Sequence, residues 1–185
     1  MHPHRPPMRQ PVAAPAPAEE LPEWTKDGEF PPISRNLPLY GKDPASGKHQ
    51  LWVGRVVWQA VTATEIKMAI YGPFGRKMAV SDSVFRALFQ IRNELESVEN
   101  YDPPWRVLVQ GARKDVWHVG HIVSRFPGDR AEILEVGRKA TESVDVLAML
   151  DAEDTPKWGL LEEQMKNCLE YFRTLEPGFA AEIPL

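Results

Sequence analysis

Two histidines three residues apart, His118 and His121, are the first residues of this sequence with a type and spacing suited to metal binding. They lie in VWHVGHIVSRF, a run rich in valine and aromatic residues that favours a β-strand. Side chains alternate between the faces of a strand, so positions three apart point in opposite directions. Zinc takes about three or four ligands, and the other histidines, His2, His4 and His49, are distant in the chain. We therefore predict no metal site.

The single cysteine, Cys168, is the side chain best suited to covalent catalysis. It lies between Met165 and Phe172 on the predicted apolar side of a helix, where a cysteine behaves as a small hydrophobic residue. The chain has no G-x-S-x-G nucleophile motif, and adjacent acids such as Glu162 and Glu163 are typical of a solvated face. We expect no catalytic residue and no cofactor, and hence a protein that is not an enzyme.

A glycine-containing basic stretch, GPFGRK at residues 72–77, precedes a helix that we expect to begin at Ser81. Backbone N–H groups at a helix N-terminus, together with basic side chains, can hold an anion. The spacing differs from the phosphate-binding G-x-x-x-x-G-K-[ST] loop, and Asp82 already complements the helix dipole. The alternative is a turn with solvated charges. Arg76 and Lys77 are candidate contacts for a partner.

Residues 105–130 combine basic and aromatic side chains in two apolar runs joined by GARKD. This composition predicts a hairpin with Arg113 and Lys114 exposed at its tip. Trp117 and Arg125 follow on its second strand. A cationic surface carrying rings is the usual platform for single-stranded nucleic acid, so these four residues are candidate contacts for a partner or a nucleic acid. The alternative places the rings in the core.

Charge is unevenly distributed along the chain. The net charge is −4, but residues 40–139 carry fifteen basic and eleven acidic side chains, and residues 140–185 carry three and ten. A basic middle beside an acidic end indicates either an anionic partner or two halves that complement each other in one fold.

The N-terminal part, residues 1–39, is rich in proline, and we expect a disordered or extended arm there. Trp24 and Phe30 are its candidate anchors, which dock either on the arm's own domain or on a partner. Residues 40–178 are predicted to form one domain and residues 179–185 a short tail. No apolar run reaches the roughly 18 residues of a membrane helix, so we expect a cytoplasmic protein without a membrane partner.

Hydrophobic periodicity predicts an α+β fold, with an antiparallel sheet of three to four strands packed against two main helices. The predicted strands are residues 51–61, 105–111, 116–126 and 131–136. The predicted helices are residues 63–71, 81–98, 142–151 and 156–174, of which 81–98 and 156–174 are the main pair. Residues 51–61 and 131–140 also fit the alternative element type.

The function expected from these observations is that of a non-enzymatic protein-interaction module, such as an adaptor, an assembly subunit or an inhibitor. Six tryptophans supply aromatic contact surface, and tryptophan and arginine are enriched at binding hot spots. The partner would be another protein. The alternative is a nucleic-acid-binding accessory protein that uses the basic segment at residues 105–130 to hold single-stranded DNA or RNA.

Overall fold

The computed structural model describes residues 21–26, 28–120 and 126–175. Its main sheet has five antiparallel strands in the order β4-β3-β2-β1-β5. These strands are β1 (Ile33–Lys42), β2 (His49–Thr62), β3 (Glu65–Gly72), β4 (Gly75–Ser81) and β5 (Arg106–Val107). The first four follow one another along the chain, whereas β5 arrives after a helix and pairs with the other side of β1.

A smaller antiparallel sheet and two helices complete the described structure. The three strands of this second sheet are β6 (Val116–Trp117), β7 (Arg130–Ile133) and β8 (Ser143–Asp145), in the order β6-β7-β8. The helices are α1 (Val84–Leu95) and α2 (Leu161–Leu175). Short 3-10 turns occupy Glu23–Thr25, Gln110–Ala112 and Thr155–Lys157.

The main sheet has one face in the core because side chains alternate along each strand. Leu37, Leu39, Val56, Trp58 and Met68 lie on this buried face. The apolar stripe of α1 joins the same core, since its members recur every three or four residues. They are Val84, Ala87, Leu88, Ile91 and Leu95.

The first turn of α1 is fastened to the turn that precedes β7. Ser83 is the N-cap, and its hydroxyl accepts a hydrogen bond from the N–H of Arg86 at 3.2 Å. The N–H groups of Val84 and Phe85 donate to the carbonyls of Pro127 and Gly128 at 2.9 and 3.0 Å. Gly128 has φ of 64°, and a Cβ there would lie 2.7 Å from that of Ser83, so this position requires glycine.

A buried arginine joins α1 to α2. Arg92 is 1% exposed, and its guanidinium donates to Glu96 Oε1 at 2.6 Å, Gln164 Oε1 at 2.6 Å and the Gly159 carbonyl at 2.8 Å. Glu96 accepts the N–H of Leu161 with its other oxygen. Burial lowers the pKa of Arg92 and raises that of Glu96, and the attraction between the two charges opposes both shifts.

The predicted fold class is confirmed: the protein is α+β, with an antiparallel sheet and two main helices. The expected strand count was too low, because the described residues form eight strands. The strand at 51–61 is β2, and the strand at 131–136 is β7. The helices at 81–98 and 156–174 are α1 and α2, which begin three and five residues later than predicted.

The predicted helix at 63–71 is wrong, because these residues form the turn into β3 and the strand itself. Ile66, Met68 and Ile70 alternate with half-buried or outer-face residues, so the segment has the period of two that is typical of a strand. The basic stretch at 72–77 contains the end of β3, a two-residue turn and the start of β4.

The predicted hairpin over 105–111 and 116–126 does not form. β5 pairs with β1, and β6 pairs with β7, while residues 121–125 lie outside the described part of the chain. In the segment between β5 and β6, the N–H groups of Gln110 and Gly111 donate to the carbonyls of Ala148 and Val146. The predicted helix at 142–151 is also wrong, because that segment supplies β8 and these acceptors.

The arm predicted over 1–39 overlaps the main sheet, since residues 33–39 belong to β1. Leu37 and Leu39 are fully buried there despite the neighbouring Pro38. Residues 1–20 and the predicted tail at 179–185 lie outside the described residues.

We predict that Arg92→Met lowers the free energy of unfolding by about 3–5 kcal/mol, because it leaves the Glu96 carboxylate buried without its cation. The control is Arg86→Met, which breaks the solvent-exposed Arg86–Asp82 pair on the same helix and should cost less than about 1 kcal/mol. Urea denaturation at neutral pH measures both losses. Similar small losses for the two variants would show that the buried pair does not hold the helices together.

Candidate functional site

Arg113, the residue expected at an exposed hairpin tip, is 3% exposed, and this expectation was wrong. Its guanidinium donates to both oxygens of Asp115 at 2.8 and 2.6 Å and to Gln110 Oε1 at 2.9 Å. Asp154 lies 3.1 Å away and also pairs with Lys157. The guanidinium therefore joins its own segment, residues 110–115, to the segment that carries Asp154, and it is not available to a phosphate.

The other candidates near residue 113 do not form a basic aromatic platform either. Lys114 is half-buried, with its backbone N–H bound to the carbonyl of Lys157. Trp117 is 7% exposed and packs edge to face on Phe85 and Phe89. Arg125 lies outside the described residues.

Arg76 and Lys77 lie on opposite faces of β4, because they are adjacent in a strand. Lys77 faces α1, where it forms an ion pair with Glu94 and lies 5.6 Å from the ring centre of Tyr101. The hydrogen bond to Glu94 raises the pKa of Lys77. Arg76 is exposed on the outer face of the sheet, so only one of this pair is placed for binding there.

The outer face of the main sheet carries a row of four polar side chains at the level of Arg76. The strand register pairs Asn36 with Arg55, Arg55 with Tyr71, and Tyr71 with Arg76, so the four lie side by side across β1, β2, β3 and β4. Asn36 and Arg76 are exposed, and the other two are half-buried. Arg55 Nε donates to the Ser34 hydroxyl at 2.8 Å, which keeps its guanidinium near the sheet surface.

A second group on the same face stacks a cation between two rings. Arg106 of β5 is paired with Tyr40 of β1, and its guanidinium carbon lies 5.7 Å from that ring centre and 4.9 Å from the ring centre of Trp158. Such contacts are attractive because the ring face is electronegative. Trp158 is held in place by a 3.0 Å hydrogen bond from its indole N–H to the Val107 carbonyl. His49 extends the stack, 5.8 Å from Tyr40.

The outer face of the sheet from the Lys42–His49 pair to the row that contains Asn36 and Arg76 is one continuous surface. We call this surface the basic face. Its members are Asn36, Pro38, Tyr40, Lys42, His49, Leu51, Val53, Arg55, Tyr71, Arg76 and Arg106. Four of these described residues are Lys or Arg, and none is Asp or Glu. Asp43 follows in the turn after β1, where Ser46 and the Ala45 N–H bind its carboxylate and lower its pKa.

Residues 21–26 and 28–32 cover part of the rest of the outer face, whereas Met78 and Val80 on the edge strand β4 remain exposed. The side-chain amide of Gln59 donates to the carbonyls of Thr25 and Phe30 at 3.0 and 2.6 Å. The N–H of Glu29 donates to the Val61 carbonyl. Val57 and Ala69 share this face with Gln59 and are fully buried. The segment therefore closes one end of the outer face and leaves the basic face open.

The two predicted anchors of the arm lie in this covering segment. Trp24 is half-buried, and the ring of Phe30 contacts that of Phe126 edge to face at 5.7 Å. Of the two alternatives, docking on the arm's own domain is the one the structure shows. Of the predicted alternatives, the described residues from 21 onwards follow the extended one, with a single 3-10 turn at Glu23–Thr25 and a strand from Ile33.

Sequence reasoning missed Tyr40, Lys42, Tyr71 and Arg106 as members of a site. The available signal was alternation: Asn36, Pro38, Tyr40 and Lys42 interleave with buried Leu37 and Leu39. That pattern marks one solvent-facing side of a strand. The register that brings these side chains beside Tyr71 and Arg76 is not encoded in any single segment.

Comparison of the sequence with protein-family models and with curated proteins gives no match. Neither helix of the described residues is long and apolar enough to span a bilayer.

We predict that Asp154→Asn lowers stability at neutral pH by about 1 kcal/mol or less, as for other partly exposed ion pairs. The hydrogen bond from Lys157 and then that from Gln110 hold the pKa of Asp154 below its ordinary 3.8. Because the folded pKa is depressed, this contribution is complete above about pH 4 and is lost as the pH falls through the folded value.

Urea midpoints at pH 7 and near pH 3 measure this difference. The gap between the wild type and Asp154→Asn should shrink at the lower pH, whereas the exposed Glu153→Gln control should follow the wild type throughout. A gap that is constant with pH would mean that the loss has no electrostatic origin.

Proposed function

We propose that this protein is a non-enzymatic accessory protein that binds single-stranded DNA or RNA across its basic face. The observation that carries this proposal is the basic face itself: four Lys or Arg side chains and two tyrosines, with no Asp or Glu, on adjacent strands of one sheet. This surface replaces the segment at 105–130 that the sequence suggested, where Arg113 and Trp117 are buried.

The chemistry of the basic face matches that of a single strand. Lys42, Arg76 and Arg106 are exposed cations that can neutralise backbone phosphates. Tyr40 and Tyr71 lie between them and offer rings on which bases stack, an interaction worth about 1–3 kcal/mol per base. Stacking on a sheet requires bases that are not already paired, which favours a single strand over a duplex.

The overall charge of −4 does not oppose this function, because the acidic residues are concentrated elsewhere. Residues 140–185 carry ten acidic and three basic side chains, and in the described part of this range they belong to β8, the loops on either side of it and α2. Separation of charge onto different surfaces leaves a locally positive face that attracts an anion. The same separation orients the protein as it approaches the strand.

A protein-interaction module, whether adaptor, assembly subunit or inhibitor, is the second candidate function. The observation that favours it is the edge strand β4, where Met78 and Val80 are 41% and 52% exposed. Exposed apolar side chains on a sheet edge are typical of surfaces that pair with another chain. Another protein would then be the partner, and Arg76 on the same strand would bind it.

The test measures the fluorescence anisotropy of a labelled oligothymidylate with increasing protein, at salt concentrations between about 50 and 200 mM. The wild type should bind, with an affinity that falls as salt rises. Arg76→Glu/Arg106→Glu should bind at least about tenfold more weakly, and its salt slope should be smaller by about 0.7 for each phosphate that the variant no longer neutralises.

The matched control is Arg138→Glu/Lys166→Glu, which reverses the charge of two exposed residues that lie outside the basic face. This variant should bind as the wild type does. Thermal melting of both variants confirms that the fold is retained. Failure of the wild type to bind at the lowest salt would reject the proposal in favour of the interaction module. Equal losses in the two double variants would show that binding depends on net charge and not on the basic face.

A further inference from the structure

A pocket of about 210 Å³ opens between the main sheet and the second sheet, on the side of β1 and β2 opposite the basic face. Ile33, Trp58, Val84, Phe126 and Leu147 form its apolar walls, and Trp58 and Phe126 meet edge to face with ring centres 5.1 Å apart. Its volume lies below the roughly 300–1,000 Å³ of sites for drug-sized ligands. A single ring with one or two substituents fits this space.

Two buried polar atoms in the residues that line the pocket have no hydrogen-bond partner in the described structure. They are the indole nitrogen of Trp58, a donor, and Oδ1 of Asp129, an acceptor. Trp58 is 3% exposed. Buried polar groups are nearly always hydrogen-bonded, and an unpaired one costs about 1–3 kcal/mol. A donor and an acceptor without partners, in two residues that line the same pocket, point to a ligand that supplies both.

The charges around the pocket cancel. Two arginines and two aspartates line it, namely Arg35, Arg130, Asp129 and Asp145. Arg35 and Asp145 pair at 2.6 Å, with side chains 43% and 37% exposed, and Arg130 is held by the hydroxyl and carbonyl of Ser143. An ion of either sign would meet an equal number of like and opposite charges. An uncharged ligand avoids the desolvation cost that an ion would incur.

The turn that carries Asp129 is rigidly held. The Asp129 carbonyl accepts the N–H of Val146, and the neighbouring carbonyls of Pro127 and Gly128 accept the first N–H groups of α1. Both unpaired atoms are covered by protein atoms, so a ligand reaches them only with a small shift of the pocket wall. Because hydrogen bonds fix the backbone around Asp129, the side chains of the pocket wall would have to make that shift.

We infer that this pocket binds an uncharged planar ring that carries an amide-type N–H beside a C=O. The ring packs against Trp58 and Phe126, the ligand N–H donates to Asp129, and the ligand carbonyl accepts from the Trp58 indole. Free pyrimidine bases and aromatic amides share this chemistry. The pocket does not depend on the basic face, and the inference stands whether or not that face binds a strand.

The experiment titrates uracil and benzamide into the full chain and follows the indole N–H resonances by ¹H–¹⁵N NMR. Loss of one peak in Trp58→Phe assigns the Trp58 signal. Uracil or benzamide should shift that signal in a saturable way. Toluene, which lacks polar groups, and benzoate, which is charged, should not.

Asp129→Asn should weaken the binding of uracil or benzamide by about 10- to 100-fold, the effect of losing a charge-assisted hydrogen bond. Glu142→Gln, an exposed substitution next to β8, should leave it unchanged. If Asp129→Asn fails to fold, Trp58→Phe replaces it, with binding followed through the ligand's own resonances and a similar loss expected.

A final titration with oligothymidylate distinguishes a free ring compound from a base that belongs to a nucleic-acid strand. A shift of the Trp58 signal by uracil alone identifies a free small ligand, and a shift by both identifies a base of a bound strand. The inference is overturned if neither uracil nor benzamide shifts the signal at millimolar concentration. It is also overturned if toluene binds as well as uracil, or if the Asp129 and Trp58 variants bind uracil with wild-type affinity.

Discussion

The buried guanidinium of Arg92 is the interaction on which the arrangement of this protein depends. It reaches three segments of the chain: Glu96 on its own helix, Gly159 in the loop before α2, and Gln164 within α2. Gln164 in turn donates to the carbonyls of Gly111 and Val116, which flank the loop of Arg113. A charge without solvent is tolerated only when its hydrogen-bonding groups are satisfied in this way.

This network has a consequence for the opposite side of the molecule. It gathers α1, α2 and the second sheet around the buried face of the main sheet, so neither helix covers the outer face. Residues 21–26 and 28–32 cover one end of that face through Gln59. The basic face stays open, and there the guanidinium of Arg106 lies close to the rings of both Tyr40 and Trp158. A rigid core thus presents its cations and rings on strands whose register fixes their spacing.

The sequence predicted the elements whose signals are local. The dense β-branched run of β2 and the apolar stripes of α1 and α2 were recognised because neighbours along the chain determine them. The hairpin at 105–126 was wrong because the backbone partners of Gln110 and Gly111 are the carbonyls of residues 148 and 146, which no local pattern identifies. The helix predicted at 63–71 failed for the same reason, since β3 is stabilised by β2 and β4 on either side.

Part of the candidate site could be predicted from the sequence. Arg76 was named in advance, because a basic residue beside glycine in a turn is conspicuous. Arg113 was named too, but its burial follows from Asp115 and Asp154, the second of which is distant in the chain. Tyr40 and Tyr71 come from different strands, and only the register of β1 to β3 places them on one surface. Composition indicated that the middle of the chain is basic and left open which face carries the charge.

Photo-crosslinking gives the most direct test of the claim that single strands lie across the basic face. An oligonucleotide that carries 5-iodouracil reacts with aromatic side chains close to its bases, and mass spectrometry identifies the attached peptide. We predict crosslinks at Tyr40 or Tyr71, and their disappearance in Arg76→Glu/Arg106→Glu. Crosslinks confined to α2 or the second sheet, or none under conditions where the oligonucleotide is bound, would contradict the claim.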